Sequence, residues 1–307
     1  MIPIALSEIG PLGPKDPLPR GSLASRALDR IPPAALLLLA ILSIQLSTAF
    51  ATFLFSSLGP AGTAFLTAVF SAGVLTLLSP PRIDRRLRDG GVLIALFGLA
   101  NACMVLPFFL ALQHIPLGIA SAIAFLGPLG VAVVTSHRLS HFLVIGVAVL
   151  GVGLLTPEVG GGIDPYGLAL AAIAALGWAG FVPFSKWAGR AFPGNDGLTF
   201  SFWMASILLL PFMLAEGSMM RAGGVEVGGA FLVALLNAVF PAALEFRALQ
   251  RMSARSYGVL VTLEPAIGAL VGALLLHQAI DLRMSGAIAC VTLAALGITL
   301  IDRDKAP

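Results

Sequence analysis

Residues 33–81 read PAALLLLAILSIQLSTAFATFLFSSLGPAGTAFLTAVFSAGVLTLLSPP and contain no formal charge. A helix crosses the hydrocarbon core of a bilayer with roughly 20 mostly apolar residues. This run is more than twice that length, too long for one span, and Gly59-Pro60 breaks it in two, since proline has no N–H to give the preceding turn. The stretch therefore predicts two membrane spans. Residues 91–113 repeat the pattern without a charge.

Across the 307 residues, 58% are hydrophobic and 11% charged. An average soluble domain is about a quarter charged, so a water-soluble fold is excluded. Breakers and charges divide the chain into ten spans: 33–58, 60–79, 91–113, 117–136, 141–156, 166–187, 197–216, 228–250, 255–276 and 282–301. Each should be helical, since lipid offers no partner to an unpaired backbone group. The fold class is all-α, a polytopic membrane protein of two inverted five-helix repeats. Residues 33–156 form the first repeat, 157–165 a linker loop and 166–301 the second repeat. Residues 1–32, interrupted by Pro11, Pro14, Pro17 and Pro19, read as a disordered cytoplasmic tail rather than a signal peptide, and 302–307 as a second tail.

Sixteen of the 18 Lys and Arg residues fall on one side of this alternation, and only Arg221 and Arg283 on the other. Cytoplasmic loops collect basic residues, so both termini are expected in the cytoplasm. The formal charge of +3 has the same origin, and no nucleic-acid partner is expected. An odd number of spans per half inverts the second half relative to the first, the arrangement of many secondary carriers. Two landmarks recur at an offset of 137 residues: Ala111-Leu112-Gln113 with Ala248-Leu249-Gln250, and Gly127-Pro128 with Glu264-Pro265.

Glu264 lies nine residues into span nine, roughly 13 Å deep at 1.5 Å per residue. An acid there should face the interior or a cavity. Pro265 frees the carbonyl of Val261 and invites a kink. Two readings stand: a site for a cationic group or proton, or a hydrogen-bonded residue that fastens the bundle. Pro128 marks the corresponding place in span four. Asn101 and Asn237, in spans three and eight, suit substrate contact or helix–helix hydrogen bonding. Trp178, Phe181 and Phe184 fall roughly on one face of span six, as pocket lining or as packing. Glu245, with Arg247, Arg251 and Arg255 nearby, reads as an ion-paired cytoplasmic gate or as ordinary interfacial charge.

Cys103 and Cys290 sit inside apolar spans and carry no disulfide or metal pattern. His137 and His141 have i, i+4 spacing but lack further ligands, so no metal is expected. The chain has no GxxxxGK, nucleophile elbow or HExxH, and an enzyme is not indicated.

Several segments resemble the EamA-type carriers of the drug/metabolite transporter superfamily, and within it the threonine/homoserine exporter branch. They are Ser43-Ile44-Gln45, His114 to Ala120, Phe125-Leu126-Gly127-Pro128-Leu129, and above all Pro241 to Glu245 and Leu263-Glu264-Pro265-Ala266. Thr67, Ala124 and His277-Gln278 depart from that branch, where relatives often carry Arg, an acid and Gly-Glu. The resemblance implies a carrier in the bacterial inner membrane that exports a small amino acid or related metabolite by alternating access. It implies no cofactor, and protons rather than ATP as any energy source. The expected partners are a small-molecule substrate and the lipid bilayer. Efflux of amphipathic drugs or dyes, and a membrane scaffold that does not transport, are the alternatives.

Overall fold

A computed structural model describes residues 31–134, 164–217, 222–252, 257, 260–279 and 281–301. Span five, residues 1–30 and 302–307 of the tails, most of the linker, His137, His141 and Arg255 lie outside the described residues. Among the described residues there are helices and connecting turns and no strand.

The apolar run that opens the chain forms α1 (Pro33–Leu78), bent where Gly59 takes φ 67° and ψ 164°. Its two halves are spans one and two. Glu216 closes the bend from another helix: its Oε2 accepts from the backbone N–H groups of Ala61 and Gly62, both at 3.1 Å. Those donors open span two and have no partner within it, so a carboxylate at a helix N-terminus is the expected cap. A side chain at position 59 would collide with the Glu216 carboxylate.

A short α2 (Arg85–Asp89) follows, capped by Asp84, whose Oδ1 accepts from the Arg86 N–H at 2.9 Å. Then come α3 (Gly91–Ala111) and α4 (Leu117–Val134). The second half contains α5 (Pro165–Ala191) and α6 (Asp196–Glu216). Next are α7 (Gly224–Ala234), a π turn over Leu235–Val239 and α8 (Phe240–Arg251), which run on as one span. Last come α9 (Glu264–Leu275) and α10 (Leu282–Ile301). α1, α3, α5, α6 and the run Gly224–Glu245 are long and apolar enough to cross a membrane, while α4, α9 and α10 contain shorter apolar helices.

Large apolar side chains stand exposed on several of these helices, among them Leu77, Leu176, Ile207, Phe212, Leu214 and Leu274. In water such a surface would aggregate; against lipid tails it is the ordinary exterior. The interior is built from small residues. Ala61, Ala64 and Ala68 of α1 meet Ala102 and Leu106 of α3 and Ala205 and Leu209 of α6. A second core joins Leu36, Leu37 and Ile41 to Ile119 and Ile123 of α4, Ala171 of α5, Leu244 of α8, and Tyr257.

Helix pairing follows a definite pattern. α3 packs along α5, α4 on α5, and α3 on α6. The first half of α1 lies along the π turn and α8, and against α9. Its second half meets α7 through Leu66 and Ala230, and α6 through Glu216 and the Trp203 Nε1 to Thr76 Oγ1 hydrogen bond of 3.1 Å. α4 faces α9, where a side chain on Gly118 would strike Ala269. Two close backbone approaches involve α5: a Cβ at Gly127 of α4 would strike the Ala175 carbonyl, and a Cβ at Gly177 would stand 2.5 Å from the Met104 nitrogen and 2.8 Å from the Cys103 oxygen of α3. Glycine there lets the backbones meet, a common device in membranes.

Candidate functional site

Glu264 does not sit in the middle of a kinked helix, as its position in span nine suggested. Residues 262 and 263 form a turn, and α9 starts at Glu264. Pro265 occupies the first helical turn, where its missing N–H leaves no hydrogen bond unmade. Gly127-Pro128 behaves differently, because α4 continues through Pro128 as helix.

The Glu264 side chain is 5% exposed, and its Oε2 has no hydrogen-bond partner among the described residues. Beside it lies Gln45 of span one, 2% exposed. Gln45 Nε2 donates to Ser121 Oγ of α4 at 3.0 Å and reaches the backbone carbonyl of Glu264 at 3.5 Å. Gly268, one turn beyond Glu264, makes room: a Cβ there would strike Gln45 Nε2 and come 3.0 Å from Ser121 Oγ. One polar node thus joins α1, α4 and α9 inside apolar surroundings, with a carboxyl oxygen left over. An unmatched buried carboxyl oxygen is costly, and Glu245 Oε1 is likewise buried without a hydrogen-bond partner among the described residues.

The remaining candidates are spread around this node. Asn101 of α3 is 2% exposed, and its Nδ2 also lacks a partner among the described residues. Thr67 and Ser71, one turn apart on span two, bury unpartnered hydroxyls as well. Asn237 lies within the π turn. The three aromatic rings of α5 do not share one neighbour. Trp178 makes an edge contact with Phe125 of α4 at 6.0 Å, Phe181 packs on Phe97 of α3 at 4.9 Å, and Phe184 packs on Trp187 of its own helix at 5.6 Å. Steps of three residues drift by about 60° on a 3.6-residue helix, enough to turn successive rings toward different helices.

Of the gate candidates, Glu245 accepts a hydrogen bond from the buried Tyr257 hydroxyl at 3.4 Å. Arg251 donates to the Ile31 carbonyl at 2.9 Å, fastening the end of α8 to the start of α1. The structure therefore gives these two residues different partners. At the far ends of α3 and α9 stand two further clasps. His114 Nδ1 meets Asp164 Oδ2 at 2.6 Å, and Gln278 Oε1 accepts from the Leu117 N–H at 3.0 Å. Among the described residues no three His, Cys, Asp or Glu side chains gather as metal ligands would.

Sequence reasoning passed over Gln45 and Ser121 as site residues. Gln45 carried a usable signal: it is the single amide or charged residue in residues 33–81. Ser121 carried none, since serine is common in membrane helices.

A helical bundle with large apolar side chains on its exterior and a buried polar node defines a polytopic membrane protein. Residues 165–301 match the model of the EamA-like transporter family. The chain is 30% identical over 285 residues to the threonine/homoserine exporter RhtA of Salmonella typhimurium strain SL1344, covering 89% of this chain and 93% of that protein. It is equally 30% identical over 277 residues to RhtA of Escherichia coli K12, with the same coverage. A solved crystal structure that is 18% identical superposes over 88% of this chain and 98% of its own, with a TM-score of 0.55. The chain belongs to the EamA-like transporter family, alongside the threonine/homoserine exporters.

Proposed function

We propose that this protein exports a small neutral amino acid of the threonine or homoserine kind, by alternating access across the bacterial inner membrane. The observation that carries the reading is the buried Glu264 carboxyl, with an oxygen unpartnered among the described residues, on the residue whose backbone carbonyl Gln45 reaches while donating to Ser121. Its chemistry suits an ammonium group. The neighbouring amide and hydroxyl can exchange their mutual hydrogen bond for bonds to a substrate carboxylate or hydroxyl. Protons are the energy source that this site can also bind.

Alternating access in this reading works between two inverted repeats, 33–156 and 166–301, with both termini cytoplasmic. The helix pairing supports it. Exchanging each span for the one five places on converts the pairing of spans three and six into that of eight and one. The same exchange converts four and six into nine and one, and three and seven into eight and two. Spans four and nine, and two and seven, exchange with each other. The π turn adds a finer point. Asn101 and Asn237 are 136 residues apart, whereas Ala111 and Ala248, beyond the turn, are 137 apart. A π turn accommodates one extra residue in a helix; Asn237 lies within it and Ala248 beyond it.

Proteoliposomes test the function directly. With purified protein, internal L-threonine should accelerate uptake of labelled L-threonine or L-homoserine, saturably and without ATP. Uptake of cationic dyes but of no amino acid would favour drug efflux, and no flux of any solute would favour the scaffold.

A further inference from the structure

Span one carries four buried polar side chains close together, Ser43, Gln45, Ser47 and Thr48, of which Thr48 bonds the Ile44 carbonyl of its own helix and the other three reach other helices. They face two ways. Ser43 and Ser47 are four residues apart and share a face. Ser43 Oγ donates to the Leu236 carbonyl at 2.7 Å and Ser47 Oγ to the Val233 carbonyl at 2.9 Å. Gln45 projects about 200° round the helix from Ser43, toward Ser121 and the Glu264 carbonyl.

The π turn has a specific need for a hydroxyl. Phe240 N–H donates to the Leu235 carbonyl, five residues back. In that register the Leu236 carbonyl would look to Pro241, which has no N–H. Ser43 supplies the missing donor. On the opposite face of the same helix, Gln45 grips the carbonyl of the residue that opens α9. Span one therefore touches both interruptions in the second half, the π turn and the start of α9.

We propose that Ser43, Gln45 and Ser47 are positioning residues that couple these two interruptions, passing a change at the Glu264 carboxyl to the π turn of span eight. The proposal rests on the reading of Glu264 as the site where an ammonium group or proton binds. Gln45 cannot follow a displaced α9 and stay on Ser121 unless span one shifts. A shift of span one withdraws the donors from Leu236 and Val233, whose buried carbonyls then favour another helical register. The device needs only short hydrogen bonds and one stiff helix.

A reactivity cycle tests it on the full chain in liposomes. Ala238→Cys, with Cys103→Ala and Cys290→Ala, places one thiol in the half-buried π turn. Its rate of labelling by a permeant maleimide is read with and without Glu264→Gln. Both measurements are repeated after Ser43→Ala and Ser47→Ala. Glu264→Gln should change the rate by about threefold or more with the serines present, in the range of measured couplings between interacting residues. Without the serines the change should nearly vanish. Equal responses in both backgrounds overturn the coupling, and so does a thiol indifferent to Glu264→Gln. If the serine variant is not monodisperse, Gln45→Leu takes its place in the cycle with the same expectation. No solute enters the measurement, so a failed cycle leaves amino-acid export standing, and absent export leaves the cycle readable.

Discussion

At the scale of single residues, two carboxylates do opposite things. Glu264 is buried with one oxygen unpartnered among the described residues, whereas Glu216 is exposed and its Oε2 takes two backbone donors. Glu264→Gln keeps the size and much of the hydrogen-bonding capacity but loses the proton and the charge. The variant should insert and purify like the parent, while counterflow falls at least tenfold, about the 1.4 kcal/mol by which a lost charge partner is readily felt. Wild-type flux in that variant would leave Glu264 as a structural residue only. Glu216→Ala should show the reverse pattern. It removes the cap of span two and should destabilise the fold by about 1 kcal/mol, seen as a lower thermal midpoint in detergent. Counterflow per folded molecule should change little. Glu264 was legible in the sequence because an acid deep in an apolar span is costly. Glu216 was not, because only the fold brings its end of α6 to the bend at Gly59.

At the scale of helices, the sequence read well wherever a chemical interruption coincided with a structural one. Gly59-Pro60 marked a true bend, and apolar runs between charges marked α3, α5 and α6 within a few residues. Proline was a poorer guide: α4 absorbs Pro128, whereas α9 begins anew beside Pro265. The difference lies in the preceding residues, which form a turn at 262–263 and which no local pattern distinguishes. The π turn was hidden for another reason. Serines 193 and 186 residues away bond the carbonyls of Leu236 and Val233, so its support is tertiary. Close helix contacts make a further prediction. Gly177→Leu forces a side chain into the Cys103–Met104 backbone and should destabilise the bundle by about 1–3 kcal/mol or more, the usual range for overpacking. Gly189, on the same helix, has open space around it, and Gly189→Ala should leave the thermal midpoint unchanged or slightly raised.

At the scale of the molecule, side chain to backbone bonds order the ends of the helices without recourse to charge counting. Arg251 binds the Ile31 carbonyl, so the end of α8 and the start of α1 share a side. Asp196, opening α6, accepts from the Arg82 N–H at 3.2 Å, beyond the end of span two. Glu216, closing α6, caps the other end of that span. The stretch after Arg82 and the turn at Gly217 therefore lie at opposite ends of one helix pair. The basic residues Arg82, Arg85, Arg86 and Arg88 then mark the first of these ends, and the rule that cytoplasmic loops collect Lys and Arg assigns it to the cytoplasm. Reporters fused after Arg88, Arg190 and Lys305 should accordingly read cytoplasmic, and reporters near Gly161 and Gly223 external. The Gly161 fusion is the sharpest of these, because it falls between the two proposed five-span halves. An external signal there requires an odd number of spans before it, and so an inverted second half. A cytoplasmic signal would make the halves parallel, and the pairing of span four with span nine could no longer be read as a two-fold axis lying in the membrane plane.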